Sequence, residues 1–316
     1  MHHHGFGSDA TRTGGVASDV THGIVSFDWD YLKRRRDAYV ERLNGMYERN
    51  LIDSGVVMLH GTARLARGGG GGVVVSVSVS PGKEGTTTGT TTRDRHFTAE
   101  HILLATGGRP TMPEGVIGAS RYAITSDGFF DMPSLPRKSV IVGGGYIAVE
   151  LAGILNALGS DTSIVLRRGR ALRDFDDMIS GALDAEMKWR GIRVHANTGG
   201  IDRIEAETMV GTNVNGTSSS AKKMKLFLSD GTSIEGMDVV VVAIGRSPCV
   251  ESLNLAEVGV VQKEEGGYVV TNDYSETTAA GVYAVGDVTG NVELTPIGEC
   301  RLSLSFRAIR HPLVAR

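Results

Sequence analysis

Apolar positions along the chain fall into three patterns, and each names an element. Residues 139–142 are a short continuous apolar run with β-branched members, the length of a parallel strand buried on both faces. Residues 146–158 carry apolar side chains at helical spacing, and residues 164–166 return to a short strand. Upstream, Asp28 caps a long helical pattern over residues 29–50, in which Leu32, Ala38, Tyr39, Leu43, Met46 and Tyr47 make an apolar stripe. From spacing alone Tyr47 fits a core aromatic and a functional one equally. Valine alternates with serine over residues 73–79, as in a half-buried strand, and residues 102–105 form another apolar strand. Residues 68–72 read as a glycine loop, and residues 81–95, rich in glycine and threonine, as an exposed insertion.

Glycine turns the run at 139–142 into candidate chemistry. Gly143, Gly145 and Ala148 fit G-x-G-x-x-G/A between a strand and a helix. The first glycine allows a tight turn, the second lets backbone approach a pyrophosphate, and the small third residue lets helix pack on strand. The helix N-terminus, with its free N–H groups, then faces the phosphates. Residues 5–10, GFGSDA, match the same spacing, but no strand pattern precedes them and no helix pattern follows, so this match is set aside. Beyond the second strand, where a carboxylate would receive the ribose hydroxyls of NAD, the chain places Arg167, Arg168, Arg170 and Arg173. Guanidinium groups suit a 2'-phosphate, so the cluster points to NADP(H); the plain alternative is a solvated basic loop.

The chain also repeats itself. Ala105-Thr106-Gly107-Gly108-Arg109-Pro110 has a counterpart in Ala243-Ile244-Gly245-Arg246-Ser247-Pro248. Each follows a small β-meander, the second with an Asp230-Gly231 hairpin signal, and each ends an apolar strand on glycine. This predicts two nucleotide-binding units, of which the first lacks its opening strand and phosphate turn. From residue 267 two further short strands are expected, the second ending at Gly286-Asp287. An aspartate at the carboxyl end of a buried strand points into the ligand crevice of a doubly wound sheet; its alternative is a loop-capping carboxylate.

Composition narrows the function classes. With 316 residues, 41% hydrophobic and 22% charged, the chain suffices for about two domains. A net charge of -3 carries no nucleic-acid or membrane footprint, and the basic run at residues 33–36 reads as a solvated helix face. No apolar stretch is long enough to span a membrane, and the N-terminus shows no hydrophobic signal core. Cys249 and Cys300 lie too far apart in sequence for a local redox or zinc spacing, and the short run His2–His4 supports no metal site.

Several unconnected motifs, in order, carry a resemblance over residues 27–296: DAYVERLNGMYERN (37–50), HILLATGGRP (101–110), AITSDGFF (123–130), the glycine-turn stretch with LRDFDDMIS (172–180), AIGRSP (243–248) and GVYAVGDVTGNVELTP (281–296). The chain thereby resembles the flavin-dependent pyridine nucleotide disulfide oxidoreductases, and within them the glutathione reductases. The resemblance implies an α/β fold of two Rossmann-like three-layer domains that bind FAD and NADPH, with the FAD domain incomplete and the interface domain absent. It implies a partial FAD-binding domain over 1–110, an NADPH-binding domain over 111–247, the remainder of the FAD domain over 248–296 and a divergent tail over 297–316.

It also implies roles. Gly143, Gly145 and Ala148 match the pyrophosphate site, and Arg167 and Arg173 the 2'-phosphate site, with Arg168 in the same cluster. Tyr146 matches the aromatic covering the flavin, Glu150 the acid near the nicotinamide, and Gly245 and Arg246 a segment beside the cofactor. Ala105, Thr106, Gly107 and Asp287 match flavin contacts, Thr295 lies at the isoalloxazine, and Tyr47 matches the tyrosine that stacks on glutathione. The activity implied is reduction of glutathione disulfide by NADPH in a cytoplasmic homodimer, with the mitochondrion as the alternative compartment. The departures are severe: no C-x-x-x-x-C is present, no flavin fingerprint precedes residue 27, and His311-Pro312 has no following glutamate. A truncated or alternatively spliced product with foreign residues from about Ile297 is expected, with little disulfide turnover in isolation. The competing reading is an NADPH-binding module without disulfide chemistry. A dihydrolipoamide dehydrogenase is disfavoured by the arginines.

Overall fold

The apolar run before the glycine turn becomes the middle strand of a parallel sheet. A computed structural model of the chain describes residues 6–8, 25–68, 72–79, 93–212, 218–291, 293–294, 296 and 298–299. Its described residues divide into two compact units, one drawn from Met1–Arg49 and Pro110–Gly245, the other from Asn50–Arg109 and Arg246–Arg316.

In the first unit five parallel strands lie in the order Arg193–His195, Asp161–Val165, Lys138–Val142, Val239–Val242 and Ile124–Thr125. Successive residues of a strand point to opposite faces, and here both faces are covered, which is why the sequence shows unbroken apolar runs. On one face Ile141, Ile164 and Val241 meet Ala148, Leu151, Ala152 and Leu155 of the helix Tyr146–Ala157, with Met187 of the helix Asp177–Trp189. On the other, Val140, Val142, Val165 and Val240 meet Ile204, Leu226 and Met237 of an antiparallel meander, Ile201–Thr212, Ser218–Leu228 and Ser233–Met237. The result is three layers: helices, parallel sheet, meander. The polar members of the central strands are satisfied among themselves. Ser160 donates to Ser139 at 2.9 Å, Ser139 and Thr162 share a bond of 3.1 Å, and Thr162 donates to the Ser160 carbonyl at 3.0 Å.

The second unit repeats the plan in small. A meander of Gly61–Arg67, Val73–Val79 and Arg93–Thr98 precedes the strand Ile102–Leu104, which pairs in parallel with Val282–Ala284. Leu65, Leu104, Leu253, Val269, Val282 and Val288 share its core. The Asp230-Gly231 hairpin of the first unit's meander forms as expected, with the Asp230 carboxylate accepting from the Thr232 N–H at 2.9 Å and Gly231 at φ 86°.

Three expectations need correction. Asp28 does cap a helix, Trp29–Asp53, accepting from the Tyr31 N–H at 2.8 Å, but the apolar stripe is not buried. Only Trp29 is, packed edge-on against Phe129 and donating from Nε1 to the Met132 carbonyl at 2.9 Å. Beyond that first turn no apolar surface among the described residues covers the stripe, so Tyr39 is 53% and Tyr47 63% exposed, and Tyr47 is no core aromatic. The insertion expected over 81–95 overlaps a strand, because Arg93–Arg95 pair with Val77–Val79; residues 80–92 lie outside the described residues. Of the two strands expected after residue 267 only the second forms, Val269 making a single bridge with Gln262. Within the set-aside GFGSDA match, Phe6–Ser8 is a strand paired antiparallel with Val25–Phe27, where Gly7 makes no turn.

The edge strand Arg193–His195 carries one electrostatic cost. The Nε2 atom of His195 is buried without a hydrogen-bond partner, and burial first, then the Arg193 charge, holds the imidazole pKa below its ordinary value, with Asp230 opposing. A histidine depressed in the folded state contributes stability that is present above its unfolded pKa of about 6.5 and lost as pH falls through the folded value. His195→Phe is expected to flatten the loss of stability on acidification. Urea midpoints at successive pH values check this; equal slopes for the two proteins would remove His195 from the account.

Candidate functional site

At the carboxyl end of the central strand the backbone has no room for a side chain. Gly143 has φ 142°, and a Cβ on it would lie 2.0 Å from the Ala243 carbonyl oxygen of the neighbouring strand end and 3.3 Å from the Cβ of buried Ala148. The fold therefore demands glycine at 143 and a small residue at 148. Gly145 is different. Its φ of -80° suits any residue, and nothing lies within 4 Å of the Cβ it lacks. The fold does not require glycine there, and the vacant Cβ position leaves room for a ligand to approach the backbone. Gly145 also starts the helix Tyr146–Ala157 with no side-chain cap and no acidic residue in the first turn.

The arginine segment returns to this turn. Leu166 is buried and donates its N–H to the His195 carbonyl at 2.8 Å. The carbonyls of Arg167 and Arg168 then accept from the N–H groups of Gly199 at 3.3 Å and Asn197 at 3.2 Å, and Leu172 donates its N–H to the Gly144 carbonyl at 2.7 Å. The backbone of this loop is fixed at both ends while its cationic heads face solvent. Among the described residues the guanidinium groups of Arg167 and Arg168, both exposed, form no hydrogen bond or ion pair. Arg170 pairs with Asp177, and the Nε of Arg173 lies 3.5 Å from Asp174. Tyr146, 46% exposed, and Glu150 stand one helical turn apart, on one face of the helix that the turn begins. Gly245, at φ 134°, follows Ala243 by two residues and accepts from the Thr111 N–H at 2.9 Å.

In the second unit the parallel register of Ala284 with Leu104 sends two loops out of the same end of a strand pair. One carries Ala105, Thr106 and Gly107, the last at φ 67°; the other carries Asp287 in the turn Gly286–Thr289. They meet: a Cβ on Gly108 would be 3.8 Å from the Cβ of Asp287. Arg246 donates from Nη2 to the Gly108 carbonyl at 2.6 Å, and the Tyr268 hydroxyl donates to the Arg246 carbonyl at 3.1 Å. Burial first, then Glu293 and Asp287, push the Tyr268 phenol pKa up, so it remains a donor. The Asp287 carboxylate caps no N–H among the described residues, leaving its oxygens as free acceptors. Thr295 lies outside the described residues. Among the described residues Tyr47 makes no hydrogen bond, ion pair or ring contact with the glycine turn or the arginine loop. No group of three metal-ligating side chains occurs among the described residues, and no helix there is long and apolar enough to cross a membrane.

These features fit the groups that the motifs imply. An uncapped helix N-terminus beside a vacant Cβ position and two unpaired guanidinium groups suits a phosphorylated dinucleotide. Neighbouring acceptor oxygens and glycine backbone at one end of a parallel strand pair suit the polyhydroxyl portion of a flavin nucleotide. Three contributors carried no signal in periodicity or composition: the carbonyl of Gly144, the turn at Asn197–Gly199 that holds the arginine backbone, and Leu172.

Comparison with known proteins bears on the family and the fold. Residues 73–299 match the family model described as pyridine nucleotide-disulphide oxidoreductase. The chain is 36% identical over 274 residues to glutathione reductase of Schizosaccharomyces pombe, and 34% identical over 274 residues to that of Yarrowia lipolytica. These alignments cover 87% and 86% of this chain but 53% of each relative, so the chain spans about half the length of the curated relatives it matches. A Cu(II) complex of a HOCl-induced flavoprotein disulfide reductase from Escherichia coli shares the fold, with a TM-score of 0.74 at 22% identity, over 90% of this chain and 57% of that one.

The two glycines separate folding from binding. Gly143→Ala is expected to destabilise the chain by about 2–4 kcal/mol, since backbone must move to admit the methyl group. Gly145→Ala should leave stability within about 0.5–1 kcal/mol and weaken dinucleotide binding by about tenfold. Urea unfolding and calorimetric titration read the two effects, and a destabilised Gly145→Ala with intact binding would contradict the assignment.

Proposed function

Because the chain belongs to the pyridine nucleotide-disulphide oxidoreductase family, we propose that it binds NADPH through the segment 111–247 and FAD through the segments on either side, as an oxidoreductase of the glutathione-disulfide reductase type. The observation that carries this reading is the return of the arginine loop to the glycine turn through the Leu172–Gly144 bond, with Arg167 and Arg168 unpaired. A pyrophosphate at Gly145 and a 2'-phosphate at the arginines are two ends of one adenosine, and the chain supplies donors for both. Bound together, NADPH and FAD supply a hydride donor and a two-electron carrier.

The residues divide the work. Gly143, Ala148 and the uncapped helix end hold the pyrophosphate, and Arg167 and Arg168, joined by Arg173 when it exchanges exposed Asp174 for phosphate, hold the 2'-phosphate. Tyr146 and Glu150 line the side of the same helix nearest that end, in place to order the nicotinamide. Ala105, Thr106 and Gly107 offer backbone to the flavin nucleotide, and the Asp287 carboxylate accepts hydroxyl donors from it. Arg246 fixes the Gly108 backbone beside them. Tyr47, exposed on its helix, offers a ring for stacking against glutathione disulfide. Thiol exchange with a disulfide requires two neighbouring thiols, one to attack and one to resolve. Cys249, the one described cysteine, is unpaired. We therefore assign disulfide reduction to the activity of the family type and little turnover to this chain alone. A second reading, an NADPH-binding module without disulfide chemistry, is favoured by one observation: every residue assigned to pyrophosphate and 2'-phosphate lies within one unit.

Two measurements test these readings, the first the NADPH site that both share and the second the flavin that separates them. NADPH should bind more tightly than NADH, and Arg167→Glu should remove about 1.5–3 kcal/mol from NADPH binding, about 10- to 150-fold, while NADH changes little. Equal losses for both would undo the 2'-phosphate assignment. Purified chain reconstituted with FAD should be yellow and lose its flavin absorbance when NADPH is added; colourless protein that binds NADPH selectively would establish the module.

A further inference from the structure

The stretch LRDFDDMIS (172–180), which supplies Arg173 and the Leu172–Gly144 bond to the reading above, also contains a backbone outlier. Leu172 has φ 50°, a left-handed conformation that costs a non-glycine residue free energy and persists only where its surroundings hold it. Three bonds do so. Its N–H donates to Gly144 at 2.7 Å, and its carbonyl accepts from the Phe175 N–H at 2.9 Å and from the Ser180 hydroxyl at 2.6 Å. Ser180 is 1% exposed and sits on the helix Asp177–Trp189, whose start is fixed by the Asp176 carboxylate accepting from the Met178 N–H at 2.8 Å. The hydroxyl is thus a rigid, buried donor aimed at the carbonyl of a strained residue.

Leu172 closes the loop that carries the arginines. At the other end of that loop the carbonyls of Arg167 and Arg168 are held by Gly199 and Asn197, so the arginine backbone is stretched between two fixed anchors. The approach of loop to turn is close: a Cβ on Gly144 would lie 3.8 Å from the Ala171 Cα and 3.4 Å from Leu166 Cδ2. We infer that Ser180, acting through left-handed Leu172, is a positioning residue that sets the preference of this site for a 2'-phosphorylated dinucleotide. The inference rests on the NADPH reading above.

Removal of the Ser180 hydroxyl frees Leu172 to relax toward an ordinary conformation, and the arginines lose their registry with the turn. The pyrophosphate end does not depend on it. Gly143 is held by its own N–H to the Val165 carbonyl at 3.0 Å and by its packing against Ala243, and the helix start at Gly145 follows from that. A loss confined to the phosphorylated cofactor is therefore the signature of positioning, whereas general loosening of the fold weakens both cofactors alike.

The test titrates the full chain and its variants with NADPH and NADH by calorimetry and records thermal midpoints. Ser180→Ala is expected to weaken NADPH about fivefold or more and NADH less than about twofold. Leu172→Asn, which tolerates the left-handed region, should keep the wild-type preference, and Leu172→Val, which does not, should lower it as Ser180→Ala does. A wild-type chain that prefers NADPH beside Ser180→Ala and Leu172→Val variants with the same preference, or with equal losses for both cofactors, would overturn the inference and leave the NADPH reading intact. A wild-type chain with no preference would overturn both. Where Ser180→Ala does not fold, the two Leu172 variants decide alone.

Discussion

The constraint on which the nucleotide-binding unit depends is the approach of two strand ends to a distance that admits no side chain. The carbonyl of Ala243 occupies the space where a Cβ of residue 143 would be, and buried Ala148 closes the other side. With glycine at 143, the chain leaves the sheet, turns over three residues and starts a helix back along the face it has just crossed. That one permitted geometry sets the helix start and the position of Gly144 as an acceptor for the returning loop. The sheet then fixes the rest: strand Asp161–Val165 pairs with the central strand in register, so the arginine segment emerges at the same edge as the turn.

Stability and function use the same residue type for opposite reasons here. Gly143 is required by packing, while Gly145 has a φ open to any residue and no protein atom near its missing Cβ. The arginines divide in a similar way. Exposed ion pairs are weak in water, so Arg170 with Asp177 and Arg173 with Asp174 hold the loop lightly, and Arg167 and Arg168 remain the cations without a counter-charge. Cations without a counter-charge on a loop whose backbone returns to the glycine turn through Leu172 and Gly144 leave a local excess of positive charge.

Much of this was legible in the sequence because burial on both faces leaves a direct trace. The runs at 139–142 and 239–242 are apolar at every position but Ser139, whose hydroxyl the structure satisfies inside the sheet. The meander-strand-glycine repeat was also readable, since alternation, hairpin residues and a terminal glycine each have a local cause. The helix Trp29–Asp53 shows the limit. Helical spacing tells which residues share a face and is silent on what covers that face, so the stripe through Tyr39 and Tyr47 was read as core and is exposed among the described residues. Leu172 was illegible for a different reason. Leucine gives no hint of a left-handed backbone, because the conformation is imposed by partners eight residues later and twenty-eight residues earlier.

The site assignments separate into two chemistries with different structural demands. Gripping a dinucleotide needs backbone N–H groups, a close glycine and cations, all of which one βαβ unit supplies from residues within a single compact body. Transferring electrons onward to a disulfide needs a flavin and paired thiols, which draw on residues far apart in sequence. The strand pair Ile102–Leu104 and Val282–Ala284 sends the loops that carry Gly107 and Asp287 out of one end. Nucleotide recognition is therefore the part of the family chemistry that depends least on distant segments, and the buried hydroxyl of Ser180 lies in the same unit, donating to the residue that closes the arginine loop.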